Sequence, residues 1–268
     1  MGIRDLLKFD NRWELIAGRI FFRPTSLQVY RINGLQVLVD NRAADAGSIR
    51  HCIATDLYSR YLPKLKLPAA PNVLDLGANA GGFPLLLATR DITPGNLLCI
   101  ELNPNTCQRL RFNIETNFAG ARVINAAVVG SPREIKVRLG RGSTADSIYT
   151  GPSRLGLATG GHALRRPNDN EYANEYTVSG LSLDNIVDTH FGHATIDLCK
   201  MDIEGAEDEV VAGTECESLR RIRYLLVEIH NRENYERFIT ALAQRGLTEI
   251  AGDGQIGCGV RLFHNPSL

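Results

Sequence analysis

Three stretches of the chain combine residue types and spacings that could do chemistry. The first is Asp75-Leu76-Gly77-Ala78-Asn79-Ala80-Gly81-Gly82, where an apolar run ends on a carboxylate and a cluster of glycines. Glycine tolerates positive φ and, lacking Cβ, lets backbone N–H groups approach a ligand closely. Gly77 and Gly82 keep the end spacing of the dinucleotide-binding GxGxxG pattern, but Asn79 stands at its middle glycine. That change makes a close pyrophosphate harder to seat. Asp75 beside the turn would repel a phosphate and attract an ammonium group. The loop is either a plain strand-to-helix turn or a site tilted from NAD towards the amino-acid end of S-adenosylmethionine. The second stretch, CIELNPNT, places Glu101 at a strand end ~20 residues further on, where a carboxylate can accept hydrogen bonds from both ribose hydroxyls of an adenosine cofactor. A solvated strand-end carboxylate is the alternative, and either way Glu101 speaks to adenosine rather than to the reaction. The third, KMDIEGAE over 200–207, delivers Asp202 and Glu204 to a strand's carboxyl end, with Glu207 in the following helical turn.

Three further candidates lie in LLVEIHN, which brings Glu228, His230 and Asn231 to the end of the next strand. His230 could deprotonate a hydroxyl, since an imidazole titrates near ~6.5. Alternatively, Asp202, Glu228 and Asn231 could hold Mg2+ through oxygen ligands. The third reading is a strand-end histidine bonded to backbone. Weaker candidates are the His190/His193 pair, Arg165-Arg166, and Tyr149, Tyr172 and Tyr176.

The elements that must position these residues follow from periodicity. Apolar runs at 72–77, 96–101, 195–202 and 222–229 read as buried strands, with further strands near 122–128 and 134–139. Helices are expected over 80–90, 104–118, 181–189, 206–212 and 232–245, the second opened by Pro104. Two last strands, 247–251 and 258–263, have no helix between them and would close the sheet with an antiparallel member. The expectation is an α/β fold with a Rossmann-like, mostly parallel sheet over 71–268. Residues 1–70 form an N-terminal extension with a helix over 3–17, a hairpin around Asn33-Gly34 and a helix over 45–62, joined on by the Pro-rich LKLPAAP. It could serve substrate binding or dimerisation. Segment 140–175 is rich in Gly, Ser, Pro and Asn and reads as a lid or binding loop.

Composition narrows the field. At 268 residues with 44% hydrophobic content, one sizeable core is affordable in length, and 30 basic residues against 30 acidic ones give no chain-wide reason for nucleic acid or membrane as partner. The six cysteines form no CxxC pair and no zinc spacing, and no apolar run reaches the ~18–20 residues of a membrane span, so a cytoplasmic setting is expected.

VLDLGANAGGFPLLLA, CIELNPNT, NAAV (125–128), LSLDNIV (181–187), IDLCKMDIEGAEDEVVAG (196–213) and LLVEIH, in this order and spacing, resemble the FkbM-type methyltransferases over roughly residues 70–265. The resemblance implies a class I methyltransferase fold, S-adenosylmethionine as methyl donor and O-methylation of a small-molecule acceptor such as a natural product or sugar. It implies that Asp75, Gly77, Asn79 and Gly81 line the methionine end, that Glu101 and Leu102 hold the ribose region, that Asn125 and Ala126 lie near adenine, and that Asp202 faces the reacting centre. Two other classes stay open: an NAD-dependent oxidoreductase, and a non-catalytic S-adenosylmethionine-binding protein.

Overall fold

The computed structural model describes residues 3–21, 27–142, 146–148, 174–230, 232–254 and 259–268. Its main feature is a seven-stranded sheet in the order β11-β12-β10-β9-β3-β4-β5. Here β3 is Asn72–Leu76, β4 Asn96–Glu101, β5 Arg122–Asn125, β9 Ile196–Met201, β10 Ile222–Ile229, β11 Thr248–Gly252 and β12 Gly259–His264. The pairs β5–β4, β4–β3, β3–β9 and β9–β10 are parallel, whereas β12 runs antiparallel to both β10 and β11. This is the mostly parallel sheet with an antiparallel closing member that the sequence predicts.

Helices α4 (Gly82–Ala88), α5 (Pro104–Asn117), α6 (Leu183–Phe191), α7 (Glu207–Ala212) and α8 (Tyr235–Ala243) follow the strands. Asn103 and Ser182 cap α5 and α6 by accepting backbone N–H bonds from Asn105 and Asn185. Strand side chains alternate between two cores. Val73, Leu97, Cys99, Leu198, Tyr224 and Leu226 join one core, and Leu74, Leu98, Ile100, Cys199 and Leu225 the other. With both faces covered, the central strands are apolar throughout, as buried parallel strands must be.

The first core is completed by the N-terminal segment. Hairpin β1 (Leu27–Ile32) and β2 (Leu35–Asp40) turns on Asn33 and Gly34, whose φ values of 49° and 80° suit a two-residue turn. The expected single helix over 3–17 is instead α1 (Ile3–Leu6) and α2 (Arg12–Phe21). The Asp10 N–H donates to the Arg31 carbonyl and the Asn11 side chain bridges to Val29 and Arg31, so hairpin bonding interrupts the helix. Helix α3 (Asp45–Ala54) stops short of 62 because Thr55 turns extended and its hydroxyl bonds the His51 carbonyl.

A second, three-stranded sheet, β6 (Ala127–Val128), β8 (Asn174–Leu181) and β7 (Arg133–Leu139), was not expected in full: β8 falls where the sequence suggests a polar gap. Leu139 pairs with Asn174, so the two ends of segment 140–173 lie side by side.

Candidate functional site

The sheet order reverses between β3 and β9, and ligands in open α/β sheets bind beyond the strand carboxyl ends at such a point. Period-two alternation decides which side chains meet there. Asp75, Glu101, Lys200 with Asp202, and Glu228 with His230 all share the parity of Val73, Cys99, Leu198 and Leu226, and therefore the face roofed by the N-terminal segment.

Lys200 is the buried centre of this group. Its ammonium donates to the Gly77 carbonyl at 2.8 Å and lies 3.4 Å from both Asp75 and Asp202. Burial opposes its charge, but the two carboxylates outweigh burial and hold it protonated. Asp75 is fully buried, and burial raises its pKa against the pull of Lys200. The ligand ammonium expected from the sequence is thus replaced by an internal one. Gly77 is also required for a different reason than expected: a Cβ there would sit 1.8 Å from the Asp202 carbonyl oxygen. Its N–H and that of Ala78 donate to the Ile100 carbonyl, so the turn is sewn to β4 and β9.

Glu101 accepts from the backbone N–H groups of Asn79 at 2.9 Å and Asn103 at 2.8 Å. Burial outweighs these bonds and raises its pKa to about 7. Asn79 takes a left-handed φ of 48° and Gly81 one of 91° at the start of α4. Asn125 donates to the carbonyls of Glu101 and Leu102 and fixes the chain after β4. Ala126, expected near adenine, is buried in the core with its N–H on the Glu101 carbonyl, and Leu102 packs against the small sheet.

Beyond Lys200 lies an acidic cluster. Glu204 has a left-handed φ of 54° and Gly205 one of 98°, which folds the chain after β9 back over the strand ends. Glu207 is buried and accepts from the backbone N–H groups of Ile203 and Gly205. His230 Nδ1 lies 2.9 Å from Glu207, while Nε2 lies 3.4 Å from Glu204, 3.8 Å from Asp202 and 3.9 Å from Glu228. Burial disfavours its charge, but the hydrogen bond and charge of Glu207, then Asp202 and Glu204, raise its pKa to about 11. His230 thus sits among four carboxylates that favour its protonated form, which tells against the general-base role that the sequence suggested. Burial and the Asp202 charge raise Glu204 to about 8 and Glu228 to about 7. Asp202 is lowered, Lys200 and His230 outweighing its burial. Asn231 lies outside the described residues, as do Arg165, Arg166, Tyr149 and Tyr172. His190 is tied to Arg122, and the Tyr176 hydroxyl accepts from Asn105.

Sequence reasoning missed two residues. Lys200 had a usable signal, since it is two residues before Asp202 on the same strand face. Tyr58 had none: it comes from the chain between α3 and the main sheet. Its buried hydroxyl donates 2.9 Å to Asp202 and lies 3.2 Å from Glu228, with its ring edge-on to Phe83. On the opposite rim, the Asn103 side chain donates to Asp146 and the Ser147 hydroxyl to the Glu204 carbonyl, so 146–147 span from the Glu101 turn to the acidic cluster.

Residues 75–250 match the Methyltransferase FkbM domain. No curated protein matches the chain. Among solved structures, it is similar to methyltransferase FkbM from Methylobacillus flagellatus, at 18% identity and TM-score 0.48, covering 78% of this chain and 47% of that one. This chain therefore spans about half the length of that relative. It is also similar to Aeropyrum pernix fibrillarin with natively bound S-adenosyl-L-methionine, at 14% identity and TM-score 0.41, covering 90% and 83% of the two chains. A methyltransferase from Pyrococcus furiosus gives 12% identity and TM-score 0.41, covering 94% and 93%.

Proposed function

The chain belongs to the FkbM methyltransferase family, and from that premise we propose that it transfers a methyl group from S-adenosylmethionine to a hydroxyl oxygen of a small-molecule acceptor. The observation that carries this reading is the charge of the crevice. Among the described residues, five acidic side chains, Asp75, Asp202, Glu204, Glu207 and Glu228, surround two cations, Lys200 and His230, and the raised pKa values of Glu204 and Glu228 mean that these two give up their protons when further positive charge arrives. Such a pocket favours a cationic ligand, and S-adenosylmethionine carries a sulfonium and an ammonium. It supplies an activated methyl carbon and leaves as a neutral thioether. Glu101 accepts from the ribose hydroxyls. Asp202, Glu204 and Glu228 face the cationic portion, and a carboxylate of this set takes the acceptor's proton as its oxygen attacks. Because no covalent enzyme intermediate is needed, the protein's task is alignment and exclusion of water. The contacts of Asp146 and Ser147 across the crevice support a covering role for these two residues of the expected 140–175 lid, most of which lies outside the described residues.

A second reading rests on one arrangement. Donor atoms of Asp202, Glu228 and His230 lie within 4.8 Å of one another, and Glu207 holds His230 by Nδ1 with Nε2 turned to the carboxylates. Two carboxylates with an oriented imidazole would take a divalent cation in place of the His230 proton, either the expected Mg2+ or, better suited to the nitrogen ligand, a first-row ion such as Mn2+, which would act as a Lewis acid at the acceptor oxygen.

Incubation of the purified protein with labelled S-adenosylmethionine and a panel of hydroxylated acceptors should yield S-adenosylhomocysteine and labelled product. Activity abolished by chelator and restored by Mg2+ or Mn2+ selects the metal reading. Binding without turnover on any acceptor would make the chain a binding protein, and retention of NAD in place of S-adenosylmethionine would overturn the proposal.

A further inference from the structure

Helix α2 carries apolar residues on two sides: Leu15 and Ile16 pack on the core, and a second set faces outward. Leu15 is buried, yet Trp13 is 70% exposed, Ile20 58% and Phe21 77%. Trp13, Ala17 and Ile20 follow i, i+4, i+7 spacing and so form one stripe, on the side of the helix away from Leu15. Leu7 and Leu27, also exposed, belong to the neighbouring segments. The helix is fixed to the body of the protein, because Asn11 ties its start to β1 and Asn113 and Asn117 tie β2 to α5.

Charge indicates what covers the stripe. Arg12 and Arg19 directly precede Trp13 and Ile20, stand about 100° round the helix from them on the side of Ile16, and are exposed. On the other side Glu14 is paired with Arg31 at 3.4 Å. Residues 1–31 hold six basic residues against three acidic ones, Asp5, Asp10 and Glu14, in a chain whose total charge is zero. The chain-wide balance thus conceals a positive excess in the stretch of sequence that carries the exposed tryptophan and phenylalanine, of which Arg23 lies outside the described residues. Aromatic residues beside Lys/Arg on an amphipathic helix suit the boundary between lipid headgroups and acyl chains. A ten-residue helix is about 15 Å long, short for the ~800 Å² per partner of a standard stable interface. Antiparallel self-pairing would also set the Arg12–Arg19 edge against its own copy.

We propose that α2 seats the protein on an anionic lipid surface, with Trp13, Ile20 and Phe21 entering the headgroup boundary and Arg12 and Arg19 at the phosphates. The contact is peripheral: among the described residues no helix is long and apolar enough to cross a membrane.

Trp13 is the chain's one tryptophan, so its fluorescence reports on this face directly. With the full chain, vesicles of phosphatidylglycerol and phosphatidylcholine should shift the emission to shorter wavelength and sediment the protein. Vesicles of phosphatidylcholine alone should do neither, and about 1 M salt, where screening extends only ~3 Å, should reverse the effect. Ile20→Glu and Phe21→Glu alter exposed positions, so the free proteins should keep the wild-type emission while vesicle affinity falls by about ten-fold or more. Three results would overturn the proposal: no shift with anionic vesicles, an equal shift with neutral ones, or a concentration-dependent shift with dimer formation in the absence of lipid.

Discussion

A carboxylate accepting two backbone N–H bonds is ordinarily held acidic, yet burial of Glu101 wins and lifts it to about 7. Ribose hydroxyls donating to this group would favour its ionised form. Binding of 5′-methylthioadenosine, which carries neither the sulfonium nor the ammonium charge and so isolates Glu101 from the acidic cluster, should therefore tighten as pH rises from 6 to 8 and then level off. Below the midpoint the loss approaches ten-fold per pH unit, the equivalent of ~1.4 kcal/mol. Glu101→Gln should bind more weakly with no such pH dependence; calorimetry across this range decides it, and a sloping profile in the variant would remove Glu101 from the site. The linkage also has a sign. A folded pKa above the unfolded 4.5 contributes stability below about 4.5 that is lost as pH rises through about 7. His230 marks the limit of residue-level reading. Its type and place at a strand end suggest a base, but Glu207 and Glu204 come from a different turn, and their approach, with that of Asp202, favours its protonated form.

At the scale of elements, strand parity made much of the site legible. Once 72–77, 96–101, 195–202 and 222–229 are taken as adjacent parallel strands, the two-residue period puts Asp75, Glu101, Asp202 and Glu228 on one face. Strand β8 was not legible because its outward residues, Asn174, Glu175 and Thr177, dilute the apolar signal in a strand with one exposed face. The reason for the glycine loop was hidden too, since a strand-to-strand approach leaves no mark on local sequence. Gly77→Ala would place a methyl 1.8 Å from the Asp202 carbonyl at a φ of +75°, and should cost at least about 3 kcal/mol. Gly34 has a similar φ of +80° with nothing within 4 Å, so Gly34→Ala should cost only about 1 kcal/mol. Urea midpoints of the two variants should separate clearly; similar midpoints would mean that the β3–α4 turn can move away from β9 at little cost.

At the scale of the whole molecule, the Pro-rich string before β3 marks where the N-terminal segment ends, but the sequence gives no measure of how far that segment is a separate part. Packing answers against independence. Phe9, Leu15, Tyr30, Val37, Ile49, Tyr58 and Tyr61 share one core with Val73, Phe83, Leu110 and Leu226. The Tyr61 hydroxyl donates to the Val260 carbonyl in β12, and the Asn113 side chain bonds both the N–H and the carbonyl of Leu38. Removing residues 1–70 would uncover apolar residues on the sheet face that the N-terminal segment shares with α4 and α5, and leave Asp202 and Glu228 without Tyr58, and a stable α/β sheet does not tolerate such an exposed apolar surface. A chain comprising residues 71–268 should therefore lose cooperative thermal unfolding and bind no S-adenosylmethionine. Tyr58→Phe separates the roof from the site: it keeps the ring against Phe83 and removes only the hydroxyl, so it should stay folded with a loss of about 1–3 kcal/mol from the unmet carboxylate contacts. Its turnover should fall while far-ultraviolet circular dichroism stays that of the wild type. A 71–268 chain that melts cooperatively would instead make the segment a cover on a self-sufficient domain, and the shared core would then be a docking surface rather than part of the folding unit.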